Sequence, residues 1–136
     1  GQVTRALPLS SEVTLLTDRN AAIPVEVART GQRSIAFASA SRNLLELRFL
    51  SVASAVQEGD AIVTSGLDGV YPPGLPVGTV LRVEPTGSSA TLSRVLVTPL
   101  SRLERNRALL VLQVDRSALP PPPPEPATDA RSRKGS

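Results

Sequence analysis

Ser65, Tyr71, Lys134 and the acids Glu58 and Asp60 are the side chains whose types and spacing point toward chemistry. As a nucleophile, Ser65 would need an activating base. The 136 residues contain no His and no Cys. That removes the Ser-His-Asp triad, the Cys-His dyad, thiol redox chemistry and zinc sites built on Cys and His. The Gly-x-Ser-x-Gly pattern is not met either, because Val63 and Leu67 flank the serine where glycines are required. Turn chemistry is the better reading of Ser65. Glu58 and Asp60 flank Gly59; as an acid–base pair they would have to face each other across a cleft at about 5–9 Å. In a Glu-Gly-Asp turn the simpler reading is two solvated turn residues. Lys134, the single lysine, lies in a polar tail and is poorly placed for a Schiff base. The expectation is a chain that is no enzyme and takes no cofactor or metal.

The elements that would position any site are more informative than the reactive groups. Between Val56 and Val80 strand-forming runs, Ala61 to Thr64 and Val77 to Val80, alternate with residues that fix the backbone. Gly66, Gly69, Gly74 and Gly78 permit positive φ, while Pro72, Pro73 and Pro76 hold φ near −65° and donate no hydrogen bond. The expected product is a stiff loop between two strands, shaped by its backbone. Tyr71, Pro72, Pro73, Leu75 and Pro76 are the candidate partner-binding residues on this frame, because a pre-organised loop loses little entropy on binding. The competing reading, that Tyr71 and Leu75 cap the interior of a barrel, stays open.

Fourteen of the fifteen basic residues are arginine, and the net charge is +3. Residues 1–116 hold twelve arginines against ten acids, a balance of +2. The arginines are scattered and alternate with apolar residues, as on solvated strand faces. A nucleic-acid footprint would need them to converge, and a single-strand binder would want more stacking platforms than Phe37, Phe49 and Tyr71. No nucleic-acid partner is expected. No apolar run approaches the ~20 residues of a membrane-spanning helix. The chain opens at Gly1 with no initiator methionine or signal-peptide layout, so it is expected to be a portion of something longer.

The period along residues 1–116 is two and the connections are short, the pattern of an all-β domain. Strands are expected at Glu12–Thr17, Ile23–Val27, Ser34–Ala38, Leu45–Leu50, Ala61–Thr64, Val77–Val83 and Thr91–Thr98, with Ala108–Val114 as the most apolar and most central strand. Residues 23–38 form one expected hairpin. In the other, Val80, Leu81 and Val83 face Leu92, Val95 and Val97. Leu45, Leu47 and Phe49 are expected inward. Pro24 favours an edge position for Ile23–Val27, so Ile23, Val25 and Val27 form a second candidate contact surface through strand pairing. One short helical turn is expected within Pro99–Asn106. From Ser117 the composition changes. Pro120 to Pro124 should form a polyproline II rod, a spacer or a ligand for an aromatic groove, in a disordered tail over residues 117–136. Strands of this number and length fit one or two small closed barrels.

Four segments carry a family resemblance: Gly1-Gln2-Val3; Leu15 to Asp18 with Asn20 and Ile23-Pro24-Val25; Gly59-Asp60 with the run Thr64 to Gly78; and Pro99 to Arg102 ahead of Leu109 to Leu112. The third is the specific one. Together they resemble the periplasmic β-domain of the bacterial rod-shape-determining MreC family. The resemblance implies two packed six-stranded-type barrels, one of them incomplete here, in a scaffold of the cell-wall elongation machinery on the periplasmic side of the inner membrane. It also implies a transmembrane helix and coiled coil upstream. Implied partners are the elongation penicillin-binding transpeptidase, MreD and the MreB system, with self-association into homo-oligomers or filaments. Val56 to Val63 is also similar to biotinyl and lipoyl-like barrels and to adaptor barrels. The missing core lysine excludes the carrier function; the alternative is an adaptor or a nucleic-acid-binding small β-barrel.

Overall fold

The alternation of apolar and polar residues along the chain becomes a closed sheet. The computed structural model describes residues 1–41, 43–51, 55–85, 92–102, 104–115 and 117. Eight strands occur among them: β1 (Gln2–Ala6), β2 (Ser11–Thr14), β3 (Ala22–Val27), β4 (Arg33–Ala38), β5 (Leu45–Ser51), β6 (Ala61–Thr64), β7 (Pro76–Pro85) and β8 (Leu92–Pro99). β1 and β2 form a two-stranded sheet, and the other six close into a barrel in the order β3-β4-β5-β8-β7-β6. Every neighbouring pair is antiparallel. The fold is all-β, with one complete six-stranded barrel and a second, smaller sheet.

Period-two burial builds the core. Ile23, Val25 and Val27 on β3, Leu45 and Leu47 on β5, Ile62 on β6 and Val95 and Val97 on β8 are all at most 1% exposed. Two bulges shift the simple alternation. The register slips between Leu47 and Leu50, so Leu50 is also buried; the Phe49 side chain lies outside the described residues. A slip between Val80 and Arg82 leaves Leu81 half-exposed, against the expectation that it faces inward. Val80 opposite Val97 and Val83 opposite Val95 are as expected. Gly78 stays in regular strand conformation, but an added Cβ would run into Thr98 O and Val97 on the neighbouring strand. Its role is close strand approach.

Three further expectations are corrected. β3 is not an edge: it pairs with β4 on one side and β6 on the other. Pro24 is accommodated because the ladder to β6 begins at Val25, while Ser65 N–H donates to Pro24 O at 3.0 Å. The missing proline donor thus falls at the ladder's end. The strand expected at Glu12–Thr17 stops at Thr14. Most significantly, residues 108–114 form no strand. Leu109, Leu110, Val111 and Leu112 are 58–87% exposed. A closed barrel has no free edge to accept a seventh strand, so the most apolar run is left outside it. Within Pro99–Asn106 Arg105 N–H donates to Arg102 O at 3.0 Å, and no helix occurs among the described residues there. The connection 86–91 between β7 and β8, the polyproline rod and Lys134 lie outside the described residues.

Leu47 and Leu81 give the test of this inside–outside assignment. Leu47→Ala should cost about 2–5 kcal/mol by equilibrium denaturation. Leu81→Ala should stay within about 0.5 kcal/mol. Comparable losses at the two positions would contradict the bulge-shifted register.

Candidate interaction surface

The loop that leaves β6 and enters β7 is tied down by a single buried residue. Thr64 is 3% exposed and is the last residue of β6. Its Oγ1 donates to Pro72 O at 2.6 Å and accepts from Leu75 N–H at 2.9 Å. Its own N–H donates to Leu75 O at 2.9 Å, and its carbonyl accepts from Gly74 N–H at 2.8 Å. Four hydrogen bonds therefore join one threonine to the far arm of the loop. The near arm is capped by Asp68, whose Oδ1 accepts from the N–H groups of Val70 and Tyr71 at 3.1 and 3.2 Å. Such an Asx arrangement lets a side chain stand in for a backbone turn.

The glycines behave largely as their sequence context requires. Gly66, Gly69 and Gly74 have φ of 74°, 64° and 84°. Gly66 is also crowded, since an added Cβ would meet the Pro73 ring at 3.0 Å. The loop is stiff because prolines, left-handed glycines and the Thr64 bonds over-determine it.

The expected contact residues divide between the core and the surface. Tyr71 packs against the core cluster, and Pro72 and Leu75 are half-buried. Burial, with the negative charge of Asp68 second, pushes the Tyr71 phenol above its ordinary value. Pro73 and Pro76 face solvent. Leu67, not singled out from the sequence, joins them at 41% exposure. Ile23, Val25 and Val27 are core residues on a doubly paired strand, so an exposed edge is not available there. The pattern of β6 contained a signal for Thr64: it shares a face with Ile62, which places a polar residue on the core side.

The candidate reactive groups meet different fates. Asp60 is buried, not a solvated turn residue. Arg29 Nε and Nη2 donate to its two carboxylate oxygens at 2.8 and 2.9 Å, and Gln57 N–H adds a third bond at 2.9 Å. The Arg29 bond first, and the Gln57 bond after it, hold this carboxyl below its ordinary range against the opposing effect of burial. Arg29 also donates to Ala55 O at 2.6 Å, so it clamps the β3–β4 turn to the entrance of β6. Glu58 is exposed. Ser65 Oγ is buried with no hydrogen-bond partner among the described residues, shut off from any substrate.

Parts of the barrel surface are polar. A shallow depression of about 300 Å³ is lined by Thr17, Asn43, Thr98, Arg102, Glu104 and Arg105, among others. Its acid, Glu104, accepts from the Asn43 amide at 2.7 Å. Across the barrel wall Glu46 pairs with Arg48 at 3.4 Å and Arg94 at 3.1 Å, Arg82 pairs with Glu84 at 3.5 Å, and Arg48 lies 4.7 Å over the Phe37 ring. These arginines are interleaved with acids. Among the described residues no group of His, Cys, Asp and Glu is arranged to hold a metal, and no helix is long and apolar enough to cross a membrane.

Fold and site together define a small β-barrel module whose ordered feature is a shaped loop. The family description "Rod shape-determining protein MreC, barrel core" matches residues 1–113. The chain belongs to the MreC family. It is 35% identical over 126 residues to the cell shape-determining protein MreC of Escherichia coli K12, covering 92% of this chain and 34% of that protein. It is 38% identical over 112 residues to that of Haemophilus influenzae, covering 82% and 32%. The chain thus spans about a third of the length of these curated relatives. Among solved structures, MreC from Pseudomonas aeruginosa superposes with a TM-score of 0.73 at 38% identity, over 79% of this chain and 68% of that one. MreC in a complex with the penicillin-binding protein PBP2 from Helicobacter pylori shares the fold, with a TM-score of 0.53 at 24% identity over 64% and 54%.

The Asp60 clamp has a measurable pH signature. Because the folded carboxyl titrates below its unfolded value of about 3.9, its contribution is complete above that value and disappears as pH falls through the folded one. Asp60→Asn should lower stability at neutral pH by about 1–2 kcal/mol, since Arg29 remains partly in water. The gap to the parent chain should narrow below pH ~4. A gap that does not change with pH in denaturation series would refute the ion-pair assignment.

Proposed function

We propose that this chain is a non-enzymatic scaffold module of the cell-wall elongation machinery, acting on the periplasmic side of the inner membrane. It holds peptidoglycan-synthesis proteins in position for rod-shape determination. The observation that carries this reading is the pairing of a rigid, hydrogen-bonded loop with a barrel in which Asp60 is taken up by an ion pair and Tyr71 by the core. Membership of the rod shape-determining family supports it, as does the solved complex of another family member with PBP2. The elongation penicillin-binding transpeptidase is the partner assigned first. MreD, the MreB system and further copies of the chain are assigned with less direct support, from the family alone.

The β1–β2 sheet and the exposed run Leu109–Leu112 belong, on this reading, to a second barrel. Val3 on the small sheet, and Leu7 and Leu9 in the turn that joins its strands, are 40–100% exposed, and the relatives extend well beyond the span matched here. Strands from that additional length, with a membrane helix and coiled coil, would complete the barrel and attach it to the membrane.

The test is capture in living cells. With a photo-cross-linking residue replacing Pro76 in the full-length protein, the elongation transpeptidase should be recovered covalently attached. Replacements on several barrel faces that trap no wall-synthesis component would overturn the proposal.

A further inference from the structure

We propose that the contact surface is the outer face of the 66–76 loop, formed by Leu67, Pro73 and Pro76, and that Thr64 is its positioning residue. The inference rests on the scaffold reading and goes beyond it by naming the surface and its chemistry. The inner face of the loop is already occupied: Tyr71 packs on the core cluster, and Thr64 bonds to both Pro72 and Leu75. What remains outside is Leu67, 41% exposed, with Pro73 and Pro76 also exposed. None of the three has much conformational freedom to lose on binding, because two are prolines and the loop is fixed from below.

The charge pattern narrows the class of occupant. Between Asp60 and Arg82 the one formally charged residue is Asp68, and its Oδ1 is engaged by Val70 and Tyr71. The opposite case is the Glu46–Arg48–Arg94 and Arg82–Glu84 array on the barrel wall. A neutral, rigid Leu/Pro surface fits an apolar patch on a protein, and the solved complex of another family member with PBP2 makes the penicillin-binding transpeptidase the occupant assigned. It offers nothing to a polyanion, which needs converging cations.

Thr64 supplies the shape without touching the partner. Replacing its hydroxyl by a methyl group in Thr64→Val removes one donor and one acceptor at nearly constant volume. It leaves Pro72 O and Leu75 N–H without those partners.

The experiment measures binding of the chain to the soluble portion of the PBP2 counterpart from its own organism, alongside amide exchange and thermal unfolding. Leu67→Ala should weaken binding about tenfold with unfolding unchanged. Thr64→Val should weaken it about three- to tenfold, mainly through faster dissociation, with faster amide exchange confined to Tyr71–Leu75. Thr64→Ser, which keeps the hydroxyl, should restore both. Leu81→Ala, on the barrel wall, should bind as the parent does. If Thr64→Val fails to fold, Leu67→Ala decides the surface alone. Full affinity in Leu67→Ala, with the transpeptidase still captured elsewhere on the barrel, overturns this inference and leaves the scaffold function standing. No binding by the parent chain removes both. Loss of self-association in Leu67→Ala with unchanged transpeptidase binding assigns the patch to a second copy and overturns the proposal.

Discussion

The seam between β3 and β6 is the constraint on which the rest of the molecule depends. It is short, three register pairs from Val25 opposite Thr64 to Val27 opposite Ile62, and it converts an open six-stranded sheet into a barrel. Without it, two strands would present unpaired donors and acceptors, and Ile23, Val25, Val27 and Ile62 would lose their enclosure. Thr64 stands at the end of this seam and also anchors the loop through backbone and side chain. Barrel closure and loop shape are therefore not independent. The Arg29–Asp60 clamp reinforces the same region from the other end of β6, joining the turn after β3 to the approach of β6.

Much of this was legible in the sequence because one face of each strand is buried. β3, β4, β6 and the Val80–Val83 and Val95–Val97 pairings follow directly from period-two alternation. Bulges defeat it: one extra residue in β5 turns Leu50 inward, and one in β7 turns Leu81 out. Pro24 misled in a different way. A missing N–H is costly only where a partner waits for it, and the ladder to β6 begins one residue later. The Asp60 ion pair was invisible because its partner is 31 positions away, with no local pattern joining them. For Leu109–Leu112, apolarity records a need for burial but not the identity of the neighbour. The residues that would provide that burial are not part of the six-stranded barrel.

The loop was the most readable part of the candidate site, since Gly and Pro constrain backbone geometry locally. Which of its side chains face outward was not, because that depends on where the barrel rim lies beneath them. Tyr71, the largest side chain on the loop, is the one drawn against the core. This is the ordinary outcome for an aromatic ring beside an apolar interior, and it transfers the outward role to smaller residues.

A surface made of Leu67, Pro73 and Pro76 is small. Stable protein interfaces bury about 1,200–2,000 Å² in total, which three side chains do not approach. On the proposed scaffold reading, such a module would hold a partner through a pre-shaped anchor supplemented by other contacts, or through several copies acting together. Rigidity favours the second route. When each loop enters the complex already in its bound form, tethered copies multiply their affinity without new contacts. A flexible loop would lose part of that gain to ordering at every site. In such an assembly the hydrogen bonds of Thr64 would matter, because any ordering cost they remove would be removed once for each copy.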